Sequence, residues 1–167
     1  MSQNSIASVL NLYSIALDSH SWHLFDEIFA PDVEVDYPGG LHWQGLPAFK
    51  QDFAAMHEST AGHQHLLGPP HIIIKDDQAF ALTYGHFIVL RAGVDAGRLS
   101  TTEGGAWYDD ELICRSMGWR VRKRIARNFW SRRTESDAAE LTRLTDSFPD
   151  WVRSGRVSYM NALSTGR

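Results

Sequence analysis

Residues 18–37, DSHSWHLFDEIFAPDVEVDY, decide the fold, because they contain a helix end, a short second helix and a strand. Asp18 ends a preceding amphipathic pattern, and Ser21 is placed to cap the next helix. Pro31 lacks a backbone donor and disfavours helix in the residue before it, so the second helix is predicted to end there. Residues 33–37 then alternate with a period of two, which is typical of a half-buried strand.

The pattern on either side of this stretch predicts an α+β fold. Residues 4–19 carry apolar side chains at helical spacing, and residues 46–60 indicate a third helix. The second half is dominated by β-forming segments in an antiparallel meander, which the three early helices can cover, leaving a cavity against a curved sheet. Strands are predicted over residues 71–75, 79–91, 99–114 and 119–130, and tail helices over 135–147 and 150–163.

Length and charge limit the classes of protein. The chain has 167 residues, which suits one domain, and 16 Lys and Arg against 20 Asp and Glu, which argues against a nucleic-acid binder. The single cysteine, Cys114, allows no internal disulfide. The first residues lack the basic flank and apolar run of a signal peptide, and no membrane span follows, so a cytoplasmic protein is predicted. No glycine-rich phosphate loop occurs, and no cofactor is expected.

A set of motifs resembles the SnoaL-like branch of the nuclear transport factor 2-like superfamily, to which scytalone dehydratase belongs. The resemblance extends over roughly residues 5–130 and implies a cone-like, curved antiparallel sheet covered by N-terminal helices. The matching residues are Asp18, Trp22, Ala30-Pro31, Asp36-Tyr37, Gly45, Ala48-Phe49, His65-Leu66-Leu67-Gly68 and Gly118-Trp119-Arg120.

The resemblance also implies catalytic residues. Lyases of this superfamily pair an aspartate at the end of the first helix with a histidine, and these positions fall on Asp18 and His65. The tyrosine that polarises the substrate of scytalone dehydratase falls on Tyr37. Two positions depart from that pattern: a second tyrosine is replaced by Leu17, and a second catalytic histidine has no match unless His86 replaces it after a register change.

The chemistry of these residues supports the same assignment. An aspartate that accepts one imidazole N–H fixes the tautomer and raises the basicity of the other nitrogen, so His65 could remove and return a proton. The structural alternatives are a helix-ending aspartate with a local backbone bond and a core histidine. Tyr37 and Asp36 point to opposite sides of their strand, and we expect the Tyr37 phenol to enter the cavity and stabilise an oxyanion.

Further polar and aromatic residues are candidates for contacting the substrate. Alternation in residues 79–91 does not decide which face lines the cavity, so Tyr84 and His86 are either pocket groups or part of a subunit contact. Tyr108 and Asp110 share a face that is either pocket or solvated sheet. The candidate substrate contacts are Tyr13, Asp36, Trp43, Tyr84, His86 and Tyr108.

Two other patterns have ordinary explanations. His63, His65 and His71 suggest zinc or iron ligands, but no carboxylate has a suitable spacing and Pro69-Pro70 redirects the chain, so no metal site is predicted. The basic strand around residues 120–127 is interpreted as a solvated strand paired with acidic residues of its neighbour. Arg124 or Arg127 is a candidate for reaching an anionic substrate.

These observations predict a cofactor-independent lyase, a dehydratase or a related elimination enzyme, acting on a small oxygenated aromatic or polycyclic compound. The alternatives are an isomerase or polyketide cyclase of the same fold, and a non-catalytic subunit such as a dioxygenase small subunit. Residues 1–130 form the predicted domain. Residues 131–167 form a C-terminal helical extension whose aromatic residues indicate a lid or a subunit clasp in a dimer or trimer.

Overall fold

A curved sheet with helices on one face forms the core of the computed structural model, which describes residues 2–93, 95–141 and 147–165. The order of elements is α+β, as the sequence predicts. The helices are α1 (Gln3–Asp18), α2 (Phe25–Ile28) after a 3-10 turn (Trp22–Leu24), α3 (Leu46–His57), α4 (Ala138–Leu141), α5 (Phe148–Arg153) and α6 (Ser158–Thr165). The strands are β1 (Phe29–Tyr37), β2 (Leu41–Gln44), β3 (Thr60–Leu67), β4 (His71–Lys75), β5 (Gln78–Ala92), β6 (Arg98–Arg115) and β7 (Gly118–Asp137).

The sheet joins the first strand of the chain to the last. Its order is β2-β1-β7-β6-β5-β3, and β4 pairs with the other end of β5. All pairs are antiparallel except β1 with β7, which run parallel. The sheet is therefore mixed, and a sequence pattern of successive hairpins does not reveal the parallel pairing.

The inner face of β5, which packs toward the helices, carries small side chains. Ala79, Ala81 and Thr83 are buried there, whereas Phe80 and Tyr84 lie on the outer face, where Tyr84 is 61% exposed. The small residues leave room for α1 and the aromatic side chains beneath it. Tyr84 lies outside the core, and its role as a pocket group or a subunit contact stays a prediction.

His86 shares that outer face with Tyr84, because side chains two positions apart along a strand point the same way. Its ring lies 5.9 Å from that of Trp130 on β7. Whether His86 contacts a ligand or a second subunit stays a prediction.

Aromatic rings fill the space between the helices and the sheet. Phe25, Phe29, Phe49 and Phe53 are all buried, and the ring centroids of Phe49 and Phe53 lie 5.1 Å apart. Such tilted and edge-to-face contacts stabilise aromatic clusters beyond the area that they bury. This cluster of aromatic rings packs against the inner face of the sheet.

The C-terminal region differs from the sequence prediction. β7 continues to Asp137, and α4 begins only at Ala138, so the predicted helix over 135–147 is wrong at its start, and residues 142–146 lie outside the described residues. The strand persists because it pairs with β6 from Gly118 to Asp137, which satisfies its backbone groups. Strands β2 and β3 were not predicted either, and the helix expected over 150–163 is two helices separated at Gly155. None of the described helices is long and apolar enough to cross a membrane.

Substitution of Gly104 by alanine should destabilise the fold. A Cβ atom there would lie 2.6 Å from the backbone oxygen of Trp130 and 2.7 Å from Cζ of Phe87, and the backbone cannot move without breaking the β6–β7 ladder. Overpacking of this kind costs about 1–3 kcal/mol, which urea unfolding would measure. Gly62→Ala is the matched control, since its added Cβ would lie at an ordinary 3.7 Å from Leu90. Equal stabilities of the two variants would contradict this account.

Candidate active site

Asp18 and His65 form a close, nearly dry pair. The Nδ1–H of His65 donates to Oδ1 of Asp18 over 2.7 Å, and the His65 backbone N–H donates to Oδ2 over 2.9 Å. The side chain of Asp18 is only 16% exposed, and that of His65 is 9% exposed. Within the described part of the chain no hydrogen bond engages Nε2 of His65, so this nitrogen is the one that can act on a ligand.

The end of α1 places Asp18 toward β3. His20 adopts a left-handed conformation with φ of 55°, and the Ser21 N–H donates to the Ala16 carbonyl over 2.9 Å. This is the hydrogen-bond pattern that commonly ends helices, although glycine usually occupies the left-handed position. The helix therefore stops within two residues of Asp18, and its last turn lies against β3.

Tyr13, one helical turn before Leu17, links Tyr37 to the dyad formed by Asp18 and His65. The Tyr13 and Tyr37 hydroxyl oxygens lie 2.5 Å apart, and the Tyr13 ring centroid lies 6.5 Å from that of His65. Burial raises the pKa of both phenols, so both keep their protons at neutral pH. The site thus places phenol donors beside an imidazole.

A buried ion pair lies beneath these phenols. Nε and Nη2 of Arg124 donate to the two carboxylate oxygens of Asp110 over 2.7 and 2.9 Å, and both side chains are fully enclosed. Burial raises the pKa of Asp110, and the adjacent guanidinium opposes that effect; the two-pronged geometry is that of an ionised pair. Both residues and Tyr108 face the interior, so the interpretation of this face as solvated is wrong.

Three further histidines adjoin the dyad. The ring of His63 lies 5.0 Å from those of His20 and His57, and 6.2 Å from that of His65. Desolvation lowers the pKa of His57 to about 4 and that of His63 to about 3. These side chains are therefore neutral at physiological pH, and Nε2 of His63 is buried without a hydrogen-bond partner among the described residues.

The remaining predicted contacts lie away from the dyad or behind it. Asp36 points outward and accepts a hydrogen bond from Nδ1 of His42 over 2.8 Å, as expected from its alternation with Tyr37. Trp43 packs behind Tyr37, donates to Asp52 over 3.0 Å, and lines a separate groove of about 520 Å³ between β2 and α3. Neither side chain is placed to touch a ligand held by His65.

The histidines considered as metal ligands do not converge. Among residues 2–93, 95–141 and 147–165, the one group with three ligand atoms within 4.8 Å of one another is Glu34, Asp36 and His42 on the outer side of β1 and β2. Glu34 is already paired with Lys123 over 3.2 Å.

Comparison with known sequences identifies the family. The SnoaL-like domain profile matches residues 2–125. The chain belongs to the SnoaL-like domain family. An uncharacterised protein of Mycobacterium tuberculosis strain H37Rv is 29% identical over 123 residues, which are 72% of this SnoaL-like chain and 80% of the relative.

Solved structures show the same fold at low sequence identity. A nuclear transport factor 2-like protein from Salmonella enterica serovar Typhimurium has a TM-score of 0.66 at 20% identity, covering 75% of this chain and 89% of its own. A protein assigned as a scytalone dehydratase in Novosphingobium aromaticivorans has a TM-score of 0.67 at 19% identity, with coverage of 77% and 85%. A hexachlorocyclohexane dehydrochlorinase has a TM-score of 0.69 at 14% identity, with coverage of 79% and 88%. The cone-like superfamily fold is confirmed.

Sequence reasoning missed the histidine cluster of this SnoaL-like protein and the enclosure of its ion pair. His57 lies at the end of a helix and His63 on an unpredicted strand, so no spacing rule connects them. Arg124 lies in a run of basic residues, a pattern that indicates a solvated strand. The available signal was the alternation of β7, which places Arg124 on the same face as the buried Ala126. Val121, earlier on the same strand, is buried as well.

Because the buried histidines are neutral, we expect the free energy of unfolding to fall in acid. An unfolded histidine titrates near 6.5, so the unfolded state binds more protons than the folded state between about pH 6.5 and the depressed folded values. Their contribution to stability is complete above pH ~6.5 and is lost as the pH falls toward 4. We expect urea unfolding to show this decline, and His57→Gln and His63→Gln to make it shallower. A decline in both variants as steep as that of the wild-type protein would contradict the assignment.

Proposed function

We propose that this protein is a cofactor-independent lyase that eliminates water or a similar small group from an oxygenated aromatic or polycyclic compound. The observation that carries the proposal is the enclosed Asp18–His65 pair, in which Nε2 of His65 has no hydrogen bond to any residue that the structure describes. Membership of the SnoaL-like family, and structural likeness to a protein assigned as a scytalone dehydratase and to a dehydrochlorinase, support the reaction class.

The proposed reaction begins with proton transfer. Nε2 of His65 takes a proton from a carbon next to a carbonyl group, and the electron pair moves onto the carbonyl oxygen as an enolate. Asp18 stabilises the imidazolium that forms, and the Tyr37 hydroxyl donates a hydrogen bond to the enolate oxygen. When the enolate collapses, the carbon–oxygen bond to the leaving hydroxyl breaks, and His65 returns its proton to give water.

An isomerase or cyclase would use the same first step, because the proton on His65 could return to another carbon of the same molecule. A non-catalytic binding subunit would leave the proton in place. Product mass separates the first two reactions, since elimination releases a molecule of water and isomerisation conserves mass. Proton exchange at the activated carbon separates both from binding alone.

We also propose that the C-terminal segment acts as a lid rather than a subunit clasp. Met160 of α6 is buried in the hydrophobic core of its own chain, and Val152 and Leu163 pack against that core. Arg153 lies near enough to His20 for its charge to contribute to the lowered pKa of that histidine, after the larger effect of burial. A cover over the site would exclude water and strengthen the polar contacts inside. Cytoplasmic location and a dimeric or trimeric state stay predictions.

Variants of the dyad test the lyase proposal. Asp18→Asn and His65→Gln should each lower kcat by about 10²–10⁴-fold, because each removes the general base or its orienting partner. The assay is loss of water from small aromatic β-hydroxy ketones, followed by mass spectrometry. His42→Gln and Asp26→Asn, in exposed pairs elsewhere, are the controls. Full activity in both dyad variants, with folding verified by circular dichroism, would remove the mechanism.

The lid proposal predicts an effect on catalysis from a distant residue. Met160→Asp places a charge in the core contact of α6 and should release the segment, lowering kcat/KM about tenfold or more as water enters. Tyr159→Ala, a neighbouring and exposed position, is the control. Light scattering on the same samples distinguishes the clasp, for which the variant would change the subunit number and leave the rate per folded chain unaltered.

A further inference from the structure

The Arg124–Asp110 pair has no role in the mechanism above, and stability does not explain it. Removing two charges from water costs several kcal/mol per ion, and apolar replacements of similar volume are often as stable or more stable. The pair uses Nε and Nη2 of Arg124, whereas the buried Nη1 has no hydrogen-bond partner among the described residues. A fully enclosed cation of this kind calls for an explanation other than stability.

The surroundings of Arg124 are aromatic. Its Cζ lies 4.4 Å from the ring centroid of Tyr13 and 4.9 Å from that of Tyr108, and the Phe29 ring centroid is 5.3 Å away, so the guanidinium is held against three aromatic rings, two of them phenols. Its charge lowers the pKa of Tyr37, in opposition to the larger effect of burial. The cation therefore lies beside a pair of hydrogen-bonded tyrosines, one of which, Tyr13, has its ring centroid 6.5 Å from that of His65.

The Tyr13 and Tyr37 hydroxyl oxygens lie 2.5 Å apart, and either hydroxyl can be the donor. When Tyr13 donates and Tyr37 accepts, the proton of Tyr37 is available for a ligand. Donation by Tyr13 and the nearby positive charge both make that proton a stronger hydrogen-bond donor.

We propose that Arg124, fixed by Asp110, is a positioning residue that acts through Tyr37, so that the site takes substrates whose carbonyl or phenol oxygen carries negative charge as an enolate or phenolate. This inference rests on the proposed function and names its substrate class. Asp110 keeps the guanidinium in one orientation and balances its charge when no ligand is bound. A ligand oxyanion then gains a strong donor in a place where water is excluded.

The test is the ionisation of bound p-nitrophenol, whose phenolate absorbs visible light and whose phenol does not. In the wild-type protein we expect the pKa of the bound phenol to lie below its value in buffer. In the double variant D110L/R124M, which removes both charges and keeps apolar volume, it should rise by about 1–3 units relative to wild type. If that variant does not fold, D110N/R124Q replaces it, because two amides can still hydrogen-bond to each other.

A matched control exists on the same two strands. Glu111 and Arg122 form an ion pair over 3.1 Å on the exposed side of β6 and β7. E111L/R122M removes one charge of each sign from those strands and should leave the pKa of the bound phenol unchanged. An equal shift in this control would show a general effect of charge removal and overturn the proposal.

The Tyr37→Phe background separates action through Tyr37 from direct contact. If Arg124 acts through the Tyr37 hydroxyl, removal of the ion pair should change the pKa of the bound phenol little once that hydroxyl is absent. A full additional shift would mean that Arg124 touches the ligand itself and would overturn the positioning role. No binding of p-nitrophenol, or a wild-type pKa equal to that in buffer, would overturn it as well.

The phenol titration involves no turnover, so its result is independent of the lyase assay. If the pKa of the bound phenol is lowered as expected but no elimination activity is found, the lyase proposal is refuted and the proposed oxyanion site is retained. Elimination activity that survives in a folded D110L/R124M variant would refute the role of Arg124 and leave the dyad standing.

Discussion

Both oxygens of Asp18 are occupied by His65, one by the ring and one by the backbone N–H. This double contact joins the last turn of α1 to β3, so it fixes the position of a helix as well as the orientation of an imidazole. The same contact determines which histidine nitrogen is available. One carboxylate therefore contributes both to the chemistry of the site and to the contact between α1 and β3.

The interior around this contact favours neutral groups. Phenols keep their protons, His57 and His63 stay uncharged, and the one fully enclosed cation among the described residues is balanced by Asp110. In such surroundings a charge that forms during a reaction has few neighbours that screen it, so fixed donors have a large effect. The arrangement suits a reaction in which charge appears briefly and then disappears.

The sequence was informative where periodicity or motif spacing is strong. The stripe of α1 and the strand pattern of β1 predicted their elements, and the resemblance led to the Asp18–His65 contact. The face of β5 could not be read, because its larger apolar residues, Phe80 and Tyr84, lie outside while Ala79 and Thr83 lie inside. Hydrophobicity alone does not reveal that an inner face must be small to admit a helix. The Arg124–Asp110 pair was hidden for the opposite reason, since charged residues on neighbouring strands usually meet at the surface.

The parallel contact between β1 and β7 has a consequence for how the protein is made. Glu34 pairs with Lys123 and Asp36 with Ile125, so the N-terminal strand finds its neighbour only after most of the chain has been synthesised. Contacts between distant parts of a sequence slow folding, and an open strand edge is prone to aggregate meanwhile. During translation, one edge of β1 therefore stays without its partner strand until β7 has been synthesised.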